Sequence, residues 1–247
     1  MAPILGLAVG IVAAFFGIGG GVLFVPILIL VFGLQTKMAV GTSLLAVFIT
    51  SMSSMIAYWR QKRIVYKIGL IFDVATIPGA ILGAYFTTII QEEHLRIFFS
   101  LFLLFVSFNI IRKKERQQVD IPEPSQDLSR ADIAKSLIFA FMAGFLSATL
   151  GIGGGVLNVP IMVLVLHIPI HFAVATSCFI IVATSFTGLT QHFMYGQIVP
   201  IYGMLLGIGA VIGAQIGARI SKKVNPKTLR ILFAILLAIM AVRLLIK

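Results

Sequence analysis

Two glycine runs carry the most chemical promise in this chain: Gly17-Ile-Gly-Gly-Gly21 and Gly151-Ile-Gly-Gly-Gly155. Each lies in apolar sequence and is followed by a proline at the same distance, Pro26 and Pro160. A helix that starts after such a turn presents unpaired N–H groups and the positive end of its dipole. That is where an anion docks. Side-chain donors recur near these runs. Thr42 and Ser43 match Thr176 and Ser177, near the starts of equivalent apolar segments, and Asn158 stands where the first copy has Phe24. Gln191 and His192 are polar residues at the end of a long apolar stretch, where polar groups tend to face a cavity. The candidate anion-binding set is therefore Gly17, Gly19, Gly20, Gly21, Thr42, Ser43, Gly151, Gly153, Gly154, Gly155, Asn158, Thr176, Ser177, Gln191 and His192. Each has a competing structural reading. Glycines also serve close helix packing, and Thr and Ser cap helices or bond back to carbonyls. Tyr58 and Trp59, at another helix end, read as interface aromatics, and Arg219 as a snorkelling cation. No Ser/His/Asp set, paired carboxylate or metal-ligand cluster is evident, so neither enzyme activity, catalytic residues, a metal nor a cofactor is expected. Asp73 is the only carboxylate inside an apolar segment.

The elements that must position these residues are duplicated. The fragment Gly17–Ile27 returns as Gly151–Ile161 with 10 of 11 positions identical. The offset of 134 persists without a gap: Gly10 pairs with Gly144, Thr50-Ser51 with Thr184-Ser185, Gly69 with Gly203, Gly79 with Gly213 and Leu95-Arg96 with Leu229-Arg230. Two repeats follow, 1–112 and 135–247. Between them, 113–134 is polar, contains Pro122 and Pro124, and reads as a linker.

Composition sets the class. The chain is 60% hydrophobic, with a net charge of +11 and a mean hydropathy of +1.10. Residues 1–34 and 136–218 contain no Asp, Glu, Lys or Arg, far more than the ~20 apolar residues that span a bilayer. The expectation is an all-α polytopic protein of the cell membrane. In that setting the positive charge orients loops and faces anionic lipid rather than nucleic acid. The first residues lack the basic start of a cleavable signal peptide.

Within each repeat, two short arms flank the glycines (3–16 and 22–33; 137–150 and 156–167). Three longer segments follow (38–59, 68–90 and 95–112; 172–192, 200–219 and 228–245). An arm reaches only ~20 Å, short of the ~30 Å hydrocarbon core. It is therefore half of one broken crossing or one side of a hairpin. Charge favours the hairpin. If the arms turn back, fifteen of the nineteen Lys and Arg residues fall on one side, leaving Lys37, Arg96, Arg243 and Lys247 opposite. A single crossing divides them twelve to seven. The first split obeys the positive-inside rule far better. It implies two inverted repeats, each a glycine-broken helical hairpin plus three transmembrane helices, with a cytoplasmic linker and both termini outside. Broken helices at matching places in two halves point to the binding site of a secondary transporter.

These motifs resemble those of the TauE/SafE sulfite exporter (TSUP) family. The resemblance rests on the doubled G-I-G-G-G-x-L-x-V-P, the A-V-G-T-S and A-V-A-T-S segments, Tyr195-Gly196, the glycine-rich Gly207–Gly217 and Leu229-Arg230 opening the last apolar segment. It departs at Gln61-Lys62, which stand where the second copy has Tyr195-Gly196. The resemblance implies export of a small sulfur-containing anion such as sulfite or an organosulfonate. An anion channel, or a transporter of another small anion, is the alternative. The partners expected are the anion and membrane lipid, with a homodimer left open.

Overall fold

The computed structural model describes residues 1–89, 130–223 and 225–246, with isolated positions between 91 and 108. Most of the segment expected over 95–112 and most of the linker over 113–134 lie outside the described residues. Among those described, the chain forms α1 (Ala2–Phe16), α2 (Gly21–Leu30), α3 (Thr36–Arg60), α4 (Tyr66–Ile89), α5 (Arg130–Leu150), α6 (Gly155–Leu164), α7 (Ile170–Met194), α8 (Pro200–Lys223) and α9 (Pro226–Ile246). Among the described residues, five stretches are long and apolar enough to cross a membrane: Thr36–Arg60, Tyr66–Ile89, Ile133–Leu150, Ile170–Met194 and Pro200–Ser221. The arm expected over 137–150 starts earlier, at Arg130. The stretch Arg130-Ala-Asp-Ile-Ala134 supplies good helix formers and an acidic residue in the first turn, which suits a helix N-terminus.

The short helices are hairpin arms. α1 ends in a Schellman turn: Gly17 is left-handed (φ 70°), its N–H donates to Ala14 O, and the Ile18 N–H donates to Ala13 O. The chain then reverses. Gly6 of α1 abuts Leu206 of α8, while Phe32, just past α2, lies with its ring 4.8 Å from that of Tyr202. The beginning of α1 and the end of α2 thus sit beside the same stretch of α8.

Partner order follows the 134-residue offset. Gly10 abuts Ala210, and Gly144 abuts Thr76. Gly213 and Gly217 lie on Leu7 and Ile11, as Gly79 and Gly83 lie on Phe141 and Phe145. α1 therefore packs along α8, and α5 along α4, through glycines that bring the backbones together. In both pairs residue numbers rise together. α3 also runs alongside α8: Thr42 meets Val199, Leu45 meets Gly203, Ile49 meets Gly207, and Ser53 bonds both Val211 and Gln215. Against α7 the order is reversed. Gly41 faces His192, Leu44 faces Gly188, and the Phe48 and Phe186 rings are 5.5 Å apart.

The loop after α3 keeps the backbone of its counterpart despite the sequence departure. Lys62 adopts φ 54° where Gly196 has 66°. A side chain in this left-handed region costs about 1 kcal/mol, small enough for the rest of the loop to hold it.

Candidate functional site

The two glycine turns meet, backbone to backbone. Gly21 lies on Gly151 and Ile152, and Gly155 lies on Gly17 and Ile18, so close that neither position admits a Cβ. Val47 of α3 and Ile181 of α7, equivalent residues, pack against both Gly19 and Gly153. Of the candidate glycines, Gly17, Gly19, Gly20, Gly151, Gly153 and Gly154 are left-handed, with φ between 69° and 91°. The sequence therefore breaks its helices where only glycine is comfortable.

Each turn is gripped from the other half. Ser43 Oγ lies 2.9 Å from Gly151 O and 2.7 Å from Val40 O, and Ser177 Oγ donates to Gly17 O at 2.7 Å. The neighbouring threonines accept instead. Thr42 Oγ1 takes the Val199 N–H at 2.9 Å and Thr176 Oγ1 takes that of Val65 at 3.0 Å. Each accepts from the residue that precedes a long helix, α8 or α4, as a cap borrowed from across the fold. A further equivalent pair holds the last turns before the breaks. Tyr58 donates its hydroxyl to Ala14 O at 2.7 Å, and His192 Nε2 lies 3.1 Å from Ala148 O, with Nδ1 2.8 Å from Gln197 Oε1. A carbonyl only accepts, so Nε2 carries a proton. Tyr58 is fully buried, unlike the interface aromatic expected; Trp59 beside it is 61% exposed and fits that expectation. Gln191 is half-buried in the last turn of α7. Removing either serine hydroxyl strands a buried carbonyl, so Ser43→Ala and Ser177→Ala should each lower unfolding stability by about 1–2 kcal/mol. Thermal melts of the purified variants check this.

What the turns present differs between the halves. α2 and α6 both start without a side-chain cap among the described residues. The N–H groups of Gly19 to Val22 and of Gly153 to Val156 donate to no described group. In the first half Phe24 lays its ring over Gly20, flanked by Val9 and Ala13. In the second, Gly154 is bordered by the Ser147 side chain and by Asn158 Nδ2. Ser147 and Asn158 are buried, and Ser147 Oγ and both polar atoms of the Asn158 amide lack a partner among the described residues. A buried, unpartnered amide costs several kcal/mol unless something satisfies it. One turn is therefore plugged by an aromatic ring and the other lined by donors. Ser147 was not among the expected site residues. Its signal is the offset itself, which sets Ser147 against Ala13 as it sets Asn158 against Phe24.

The membrane-length apolar helices mark a multi-pass membrane protein, and the relatives it resembles are named membrane transporters. The chain belongs to the sulfite exporter TauE/SafE family, whose model matches residues 2–244. It is 34% identical to the probable membrane transporter protein YunE of Bacillus subtilis over 227 residues, 84% of this chain and 82% of that one. A probable membrane transporter from Methanocaldococcus jannaschii is 32% identical over 195 residues, 76% of this chain and 70% of the relative. YdhB of Bacillus subtilis, also named a probable membrane transporter, is 28% identical over 195 residues, 75% of this chain and 76% of its own. No solved structure matches the chain.

Proposed function

We propose that the protein is a secondary transporter that exports a small sulfur-containing oxyanion, such as sulfite or an organosulfonate, bound at the start of α6. The observation that carries this reading is the cluster of unpartnered groups around Gly154: the free N–H groups of Gly153 to Val156, the Asn158 amide and the Ser147 hydroxyl. The donors are uncharged and the helix dipole adds positive potential. Such a site holds an anion without the deep trap that a buried cation would create. The family description supplies the sulfur-containing class.

The reversed register of α3 against α7 supports two halves inserted in opposite directions, related by an axis in the membrane plane. On the charge distribution, the basic loop after α3 faces the cytoplasm and both termini face outward. A reporter fused to either terminus that reads as cytoplasmic overturns this orientation. Alternating access is favoured over an open channel, because the turns touch and Val47 and Ile181 fill the space beside Gly19 and Gly153.

The test is a thermal-shift screen of the purified protein with sulfite, sulfate, thiosulfate, sulfoacetate and taurine. A ligand that binds the folded state raises apparent stability in proportion to the logarithm of its concentration. At least one sulfur oxyanion should stabilise the protein, and Asn158→Ala should remove the effect. Stabilisation by none of them, or an unchanged shift in the variant, sinks the proposal.

A further inference from the structure

Nine buried side-chain atoms lack a hydrogen-bond partner among the described residues. Three belong to Ser147 and Asn158 at the α6 turn, and two, on Asp73 and Thr76, lie one turn apart on α4. The remaining four are Gln61 Oε1, Arg63 Nη1, His171 Nδ1 and Ser221 Oγ, the last of which stands beside the Tyr58 hydroxyl. They come from three different elements, yet hydrogen bonds draw those elements to one end of the fold. Gln61 Nε2 donates to Ala218 O at 3.2 Å, which lays the loop after α3 on α8 one turn before Ser221. The Arg63 N–H donates to Tyr58 O at 3.3 Å, and the Val65 N–H donates to Thr176 at 3.0 Å. Arg63 is thereby held between the end of α3 and the first turns of α7, where its charge is felt by both Tyr58 and His171. The same anchors lead to the Gly17 turn: Tyr58 holds Ala14 O, and Ser177, next to Thr176, holds Gly17 O.

Duplication supplies the contrast. Gln197 occupies the place of Arg63 in the second half, and its side-chain amide lies 2.8 Å from His192 Nδ1. That loop is neutral and bonded; this one carries a guanidinium with an unpartnered buried N–H. Burial lowers the Arg63 guanidinium from its ordinary value, while Tyr58 acts in the other direction. Arginine remains charged under such conditions. A charge left half-buried without a counter-ion among the described residues is costly, and an anion removes that cost. Exposed Arg60 and Lys62 flank the loop and attract anions toward it.

We propose that Arg63, His171 and Ser221 form a second anion site, a vestibule at the end of α3 that binds a small oxyanion ahead of the α6 turn. The proposal rests on the transporter reading for its direction of traffic, but the site is separate from Asn158. Its donors are one guanidinium fork, one ring nitrogen and one hydroxyl, a set matched to the tetrahedral or pyramidal oxygens of sulfate or sulfite.

The test measures equilibrium binding of radiolabelled sulfate and sulfite to the purified full chain. With the α6 turn blocked by Asn158→Phe, one binding site should remain. Adding Arg63→Gln should weaken that site at least tenfold, in line with the loss of a charged hydrogen bond, and Arg63→Lys should restore part of it. Ser221→Ala, a milder change, should weaken it less. Complete loss of binding in Asn158→Phe alone, or binding there that ignores Arg63→Gln in a protein with an unchanged melting temperature, overturns the vestibule. Anion flux unaffected by Asn158→Phe overturns the transporter site instead, so the two failures are distinct.

Discussion

Asn158→Phe should abolish anion flux while leaving the protein folded and inserted. The first half of the molecule shows why the fold tolerates the ring. Phe24 occupies the equivalent position, fully buried, and covers Gly20 between Val9 and Ala13. Around Asn158 the corresponding residues are Ala143 and Ser147, which leave at least as much room as Val9 and Ala13. The substitution thus exchanges a polar lining for a plug that the architecture already carries elsewhere. It removes the amide donor and screens the N–H groups at the start of α6. A single hydrogen bond to a charged ligand is worth about 1.5–3 kcal/mol, so losing several reduces flux by about a hundredfold or more. Efflux of radiolabelled sulfite from proteoliposomes, alongside a thermal melt of the same preparation, reads both halves of the expectation. Flux within a few-fold of the parent, at unchanged stability, would falsify the assignment of Asn158 to the anion site.

Gly155→Ala should be strongly destabilising, and for a reason unrelated to anions. Its Cβ would overlap the carbonyl oxygen of Gly17 and come within 2.6 Å of Ile18 Cα. These two obstacles are backbone of the other hairpin and cannot rotate away, whereas the third, Ile181 Cδ1, can. Overpacking of this kind costs about 3 kcal/mol. Gly33→Ala provides the control. Gly33 has φ 68°, and nothing lies within 4 Å of a Cβ built there. Only the left-handed backbone is penalised, at about 1 kcal/mol. Melting temperatures should therefore fall by roughly 6–12 °C and 2–4 °C respectively. Equal shifts would mean that the two turns are not in contact.

Much of this was legible in the sequence because the repeat acts as its own alignment. The doubled glycine runs mark the breaks, since glycine is disfavoured inside a helix and the same run recurs at the same place in both halves. The exchange of Phe24 for Asn158 marks the place where the halves diverge. What could not be read depends on distance through space. Nothing in the linear sequence shows that the oxygens of Thr42 and Thr176 accept from Val199 and Val65, residues 157 and 111 positions away. Tyr58 and His192 have little in common as residue types. Only the equivalent carbonyls of Ala14 and Ala148 show that they do the same work. Arg63 reads as one of several loop cations until the loop is seen pinned between α8 and α7. The start of α5 at Arg130 was hidden because charged residues near a helix end look like linker.

The cross-grip of the two serines also bears on how the chain is made. Ser177 leaves the ribosome 160 residues after Gly17, the carbonyl it holds. Until then the first hairpin sits in the bilayer with that carbonyl unclaimed by its eventual donor, and with the surface that will receive Gly155 uncovered. The second hairpin, by contrast, meets Ser43 as soon as it is synthesised. Maturation is therefore ordered in time: the first turn waits as an incomplete template, the second arrives and completes both. An interruption of synthesis anywhere before α7 would leave not half a transporter but a hairpin without its clasp, a natural substrate for membrane quality control.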